Sequence, residues 1–368
     1  MGLLRPFIFD DAVGDEAPVA LPGRWRSVTI SNAMQGGFLS FAARYDGDPV
    51  ALLDLVGYLA ARVDVKDRMG RLAWQGLVTE VEIHEPGYQY SYSLDDMANA
   101  VNVVYSNFTT DGAVTESTRP ETDWKTNATS VSRYGRKERL LSIAGATAAQ
   151  AELHRDRYLA LHDYPLLSQR LSDEAAPRPY AWVRGRGYWW TCTWQVYNQA
   201  STGSRATNTQ IEDIVTAECP LIASTDVVAT GNSIERERSA NQTAWQEIQR
   251  LVALGTSTNA ALMAGVWEDR ELVVEAIPTS VGYRRMGRDR YADAYGATVD
   301  PWMLRAGRLM RLARVVPGAA EFSPEMDDPR NVLMAQVSYS EDQGRATITP
   351  LGAGQLADVL MGQLQPWQ

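Results

Sequence analysis

Between residues 77 and 105 the chain alternates side-chain character three times in succession, which restricts it to β structure there. Leu77, Thr79, Val81 and Ile83 alternate with Val78, Glu80 and Glu82, the two-residue period of a strand with one buried face. Pro86-Gly87 supplies a turn. Tyr88, Tyr90, Tyr92 and Leu94 then alternate with Gln89, Ser91 and Ser93, so the sequence predicts a hairpin with an aromatic inner face. Val101, Val103 and Tyr105 form a third run. The polar stretch from Thr109 to Thr126, with Asp111-Gly112 and Arg119-Pro120, reads as a long exposed loop. It leads to Ser130 through Glu138, where Gly135 is expected to turn the backbone.

The order of these features resembles the tail hub proteins of bacteriophages and related contractile injection systems. The resemblance rests on Trp74-x-Gly76 near the start of a strand, Asn102-Val103-Val104-Tyr105, a loop holding Thr122-Asp123-Trp124, and Ser130-Val131-x-x-Tyr134-Gly135-x-Lys137-Glu138 before a helix rich in Ala, Arg and Leu. Trp74, Tyr105 and Tyr134 equally suit ordinary core positions; in a hub, whose work lies in shape and interfaces, the two readings do not conflict. The resemblance implies a trimer joining a six-fold tail tube to a three-fold tip. Tail tube or distal tail proteins would be its partners above, and a tip or central fibre protein below. DNA would pass the enclosed channel without specific binding. It also implies a place in the virion, at the tail tip or baseplate, after assembly in the host cytoplasm, with no enzyme activity and no cofactor.

A chain of 368 residues exceeds the roughly 250–300 at which a single core stops growing, so more than one domain is expected. Lys and Arg number 35 against 45 Asp and Glu, a net charge of −10, which argues against a protein built to grip phosphates. It suits a wall that nucleic acid slides past. Cys192 and Cys219 are too few for a disulfide framework and lack zinc-site spacing, so free thiols are expected. The segment Met1 to Asp10 is too short in apolar residues for a signal peptide, and Pro6 stands where myristoylation needs Ser or Thr. No stretch reaches the roughly 20 apolar residues of a membrane span. The sequons at Asn107, Asn127 and Asn241 need no glycan.

Along the chain, residues 1–22 read as an extended arm, ahead of strands at 25–30, 38–44 and 62–65. Asp48 is placed to cap a short helix with Pro49 at its first position. Residues 23–108 make a first β-barrel-like domain. Residues 109–225 form a segment of loop, helix and aromatic hairpin. Its helix runs from Thr147 through His162, with Ala148, Ala151, Tyr158 and Leu161 on one stripe, and Pro177 and Pro179 mark a loop. Thr209-x-x-Glu212 and Thr243-x-x-Gln246 both match a capping box, and Gly255 ends the second helix. Strands at 261–267, 271–277, 303–316, 331–339 and 345–349 compose a second β-barrel-like domain over 226–350, before a tail at 351–368. Two barrels per chain are usual in the hub family. The fold class is therefore mainly β with minor α, a β-rich α+β arrangement. With only a Gly- and Gln-rich tail after Leu351, no built-in lytic domain is expected, which would leave cell-wall digestion to another protein.

Arg184-Gly185-Arg186-Gly187 signals a turn, after which Tyr188, Trp190, Cys192, Trp194 and Val196 alternate with Trp189, Thr191, Thr193, Gln195 and Tyr197. Such a strand is buried on both sides or meets a partner chain, which makes Tyr188, Trp189, Trp190, Trp194 and Tyr197 candidate interface residues. The same aromatics, with Trp182, could instead stack sugars, giving a carbohydrate-binding or glycan-degrading virion protein; hydrolysis would need paired carboxylates about 5 to 10 Å apart. No catalytic motif is present: His84-Glu85 lacks a second histidine, and Gly185-Arg186-Gly187 lacks the rest of a dinucleotide loop. His154 and His162 would stand about 12 Å apart on one helix, too far to share a metal. The basic run Arg284 to Arg290 reads as a solvated loop or a contact with an acidic neighbouring subunit.

Overall fold

In the computed structural model, residues 3–13, 17–111, 114–171, 178–236, 242–286, 290–312 and 331–351 are described, and most of its strands join one curled, half-barrel sheet. The sheet is built around strand Leu72–Glu85. One of its edges pairs first with Arg62–Asp67 and then with Tyr88–Ser93, while the other pairs with Tyr180–Arg186, all antiparallel. Trp74 through Thr79 are buried without a break, so both faces of the strand are covered there, which is why the alternation weakens. Tyr180–Arg186 continues to Gly36–Asp46, then to Arg24–Ala33, then to Asn331–Ser340. Leu166–Leu171 lies on Tyr88–Ser93 as an edge strand.

The later strands enter the same sheet at two places. Asn331–Ser340 pairs with Arg24–Ala33, and Leu262–Val266 meets Gly36–Asp46 at Gly36-Gly37. The second junction demands glycine: Gly37 has φ +76°, and a Cβ there would lie 2.2 Å from the Val266 carbonyl oxygen. Leu262–Val266 and Glu271–Ala276 form a hairpin, extended by the parallel strand Ser224–Val227. Val281–Arg285, Tyr291–Asp293 and Leu309–Leu312 continue the pairing to Asn331–Ser340, which carries Arg345–Pro350 on another edge.

One large core runs from Leu4 to Tyr339 and binds both strand groups. A second, methionine-rich core holds Met34, Met263, Met310 and Met334 with Leu304 and Leu333. A smaller sheet places Ala100–Asp111 beside the parallel strand Glu138–Ala144, with Val114–Thr118 and Lys125–Thr126 antiparallel to it. Helix Ala148–His162 covers this sheet through a small core of Ala98, Val101 and Leu159.

Several expectations need correction. The presumed arm contains strand Leu4–Ile8, which pairs with Arg62–Asp67 and buries Leu4 and Ile8; Pro6 is tolerated because an edge strand leaves one row of donors unused. Strand Ala100–Asp111 leaves the first barrel for the smaller sheet, and the presumed loop from Thr109 includes strand Val114–Thr118. The tyrosines of Tyr88–Ser93 are not a buried inner face: Tyr88 is exposed, and Tyr90 and Tyr92 are half-buried near the sheet's edge. In helix Ala148–His162, Ala151 and Leu159 are buried, whereas Ala148 and Leu161 face solvent. Thr209 caps nothing, because its helix begins at Thr207 after Ala206, whereas Thr243 and Gln246 do form the reciprocal capping box. Gly112, Pro177, Asn241, Gly287 to Asp289, Val316 to Gly318 and the tail beyond Leu351 lie outside the described residues.

Candidate functional site

The aromatic stretch after Arg186 is not the second strand of a hairpin. Tyr188–Thr193 is a 3-10 helix, with Trp190 N–H donating to the Gly187 carbonyl (3.0 Å) and Trp194 N–H to that of Thr191 (3.0 Å). Thr191 and Thr193 turn their hydroxyls back to the carbonyls of Tyr188 and Trp190, at 2.7 and 2.6 Å, which uses acceptors a sheet ladder would need. A side chain at Gly187 is excluded, since its Cβ would fall 1.7 Å from the Phe38 carbonyl oxygen. Winding the segment buries Tyr188, Trp190, Trp194 and Tyr197 in the chain's own core, at 1, 6, 5 and 2% exposure. Trp189 is half-buried, tilted against Trp245 at 5.6 Å.

Against this coil the structure places the motif Tyr134-Gly135-x-Lys137-Glu138. Helix Ala128–Tyr134 is capped by Asn127 and stops at Gly135, whose φ is +80°; a Cβ on Gly135 would lie 2.9 Å from the Trp194 ring. The buried Asn99 amide fixes the turn, donating to the Gly135 carbonyl (2.8 Å) and accepting from Lys137 N–H (2.7 Å). Lys137 Nζ then donates to the Leu94 carbonyl. It stands 4.7 Å from the centre of the Trp190 ring and 5.4 Å from that of Trp194, two rings packed edge to face. Burial draws the Lys137 ammonium down from the ordinary lysine value to about 7, with Asp95 and Asp96 opposing and Arg186 and Arg139 assisting. Glu138 completes the lock: its N–H donates to the Trp194 carbonyl (2.7 Å), and its carboxylate accepts from Val196 N–H (2.9 Å) and Arg136 Nε (2.6 Å).

The other motif residues lie around this lock. Trp74 is fully buried and stacked on Phe41 at 5.4 Å. Gly76 lets it pass, for a Cβ there would be 2.5 Å from the Trp74 ring and 2.3 Å from the Arg186 carbonyl oxygen. Trp124 is half-buried beneath the Arg136 guanidinium, 5.7 Å from it, and Tyr134 packs edge-on to Tyr164. Tyr105 is half-buried in the smaller sheet opposite Ile143. The arrangement thus joins Gly135, Lys137 and Glu138 to Trp190 and Trp194 in one interlocked unit, and sets Trp74 and Gly76 in a neighbouring one.

The groups in contact are a lysine, indole rings, the Asn99 amide, the Glu138 carboxylate with Arg136, and backbone amides and carbonyls, each engaged with another part of the chain. Among the described residues no three His, Cys, Asp or Glu side chains come together as a metal site, and no helix is long and apolar enough to cross a membrane. Sequence reading missed the exposure of Leu153 and Leu161 on helix Ala148–His162, of Tyr164 after it, and of Leu167 and Leu171 on edge strand Leu166–Leu171. The available signal was Leu153, which falls off the stripe of helix positions assigned to the core.

No family profile matches the chain, and no curated protein does. Solved structures with related shape include the 43 kDa tail protein of prophage MuSo2 from Shewanella oneidensis, with 9% identity, 98% of each chain covered and a TM-score of 0.46. A tail protein from Neisseria meningitidis has 7% identity over 94% of this chain and 93% of its own, at a TM-score of 0.41. An E. coli component of the type VI secretion system, described as structurally similar to the T4 bacteriophage tail proteins gp27 and gp5, has 9% identity. It covers 94% of this chain and 76% of its own, at a TM-score of 0.39.

Proposed function

We propose that the chain is a structural subunit of a phage-type tail, and within it the hub. Three copies form a ring that adapts a six-fold tube to a three-fold tip around the channel for DNA. The observation that carries this reading is the stitching of two strand groups into one curled sheet, through Arg24–Ala33 against Asn331–Ser340 and Gly36-Gly37 against Gly265-Val266. On this reading, one chain contributes an early and a late strand group to the ring. Three such chains would present six quasi-equivalent docking surfaces to a six-fold tube. Strand edges suit that task because they bind through backbone hydrogen bonds, which do not depend on side-chain identity. The role is non-enzymatic, in keeping with a motif whose residues are spent on packing.

The sugar-directed alternative loses most of its surface: of the aromatics that motivated it, Tyr188, Trp190, Trp194 and Tyr197 are buried, and Trp182 and Trp189 are half-buried. The hub reading is tested by native mass and by imaging of the purified protein. A trimeric ring is expected, with the two strand groups of each chain related by a rotation near one sixth of a turn about the ring axis. Six chains per ring, or a stable monomer at high concentration, would overturn it.

A further inference from the structure

The hairpin of Val281–Arg285 and Tyr291–Asp293 gathers arginines on one face. Arg284 stands in register with Arg311 of the neighbouring parallel strand Leu309–Leu312. Met286 N–H donates to the Arg290 carbonyl (2.8 Å) where the hairpin closes, and strand alternation carries Arg284, Met286 and Arg290 to the same side. The opposite side sends Tyr283, Tyr291 and Met310 into the methionine-rich core. Arg284, Met286 and Arg290 are exposed, Met286 by 56%. Arg305 and Arg308 nearby are paired with Glu268 and Glu275. Among the described residues no carboxylate meets Arg284, Arg290 or Arg311; Arg311 Nε donates to Asn331 Oδ1 at 3.4 Å. Like charges at facing strand positions cost stability, so this face calls for an acidic partner.

We propose that the arginine face docks on helix Pro49–Asp54 of a second copy of the chain. That helix buries Ala51 and Leu52 and turns Val50, Leu53 and Asp54 outward on one face, at spacings of three and four. Val50 and Leu53 are 68 and 58% exposed. The exposed carboxylates of Asp48, which caps the helix, and Asp54 flank them. The two surfaces share an apolar centre and a charged rim, with the charges reversed. Docking sets Met286 against Val50 and Leu53, and the guanidiniums against the carboxylates. Because both surfaces are exposed within one chain, they do not cover each other; their union takes two copies joined head to tail, an arrangement that can close into a ring. Nucleic acid suits the arginine face poorly, since a phosphate backbone sets nothing apolar on Met286 and the net charge of −10 repels it. The inference rests on the ring proposed above and names the contact that joins its copies.

The test uses the full chain, its association followed by sedimentation at low and high salt. Arg284→Glu and Asp54→Arg should each raise the dissociation constant about tenfold or more at low salt, and the wild-type chain should associate more weakly as salt is raised. Both changes in one chain should restore association, because every contact then carries the reversed pair. Met286→Ser, which alters no charge, should also weaken association, and it serves where a reversal fails to fold. Association that ignores these single changes, or a double variant no better than the worse reversal, would overturn the contact; a trimeric mass would then leave the hub reading standing. Rescue by the double variant at a stoichiometry other than three would uphold the contact and overturn the hub. A wild-type chain that stays monomeric at high concentration would overturn both.

Discussion

Lys137 is enclosed by Trp190 and Trp194, and Asp95 and Asp96 only partly offset the cost of burying its charge. Its folded pKa of about 7 lies below the unsupported value of 10.5. Between those two values the unfolded chain holds a proton that the folded chain has shed. Stability therefore rises with pH across that window and is flat in this respect below it. We expect the urea midpoint of the wild-type chain to be higher at pH 9 than at pH 7, and expect Lys137→Met to show a smaller rise because it has nothing to titrate. Equal rises in the two proteins would contradict this. Lys137→Ala, which leaves a hole between the rings and has nothing to titrate, should cost more at pH 9 than at pH 7.

At the scale of elements, the two sequence matches to a capping box separate cleanly. Thr243 accepts from Gln246 N–H at 3.3 Å while the Gln246 side chain accepts from Thr243 N–H at 2.9 Å. Thr243→Ala should therefore cost about 1 kcal/mol, and Thr209→Ala no more than about 0.5 kcal/mol, as read from thermal unfolding. The contrast shows what a single chain reveals. Strands with one partner-free face, such as Arg345–Pro350, and hairpins with a turn at Pro86-Gly87 or Glu268 to Arg270 were legible, because period and punctuation are local. Tyr188–Thr193 was not legible, since the consecutive aromatics Tyr188, Trp189 and Trp190 satisfy a period of two as well as one of three. Leu4–Ile8 and Leu166–Leu171 were missed because each is defined by a distant partner. The motif residues could be named from sequence, but their convergence on Trp190 and Trp194 could not, because the spacing that brings them together is set by the sheet.

For the whole molecule, a net charge of −10 leaves little to hold phosphates. We expect no retention of duplex DNA in a mobility-shift assay at about 50 mM salt, where a phosphate-binding protein is strongest; a shift that weakens as salt is raised would contradict the neutral or acidic bore of the proposed ring. The pairing of Arg24–Ala33 with Asn331–Ser340 also has a meaning for synthesis. The early strand leaves the ribosome with one edge filled by Gly36–Asp46, while the other waits for a partner that arrives, at typical elongation rates, about 15 to 60 s later. Until then that open edge is a site for mispairing between nascent chains. Completion of the sheet therefore waits for the synthesis of residues 331–340, and the early and late strand groups join only when that strand slots into place.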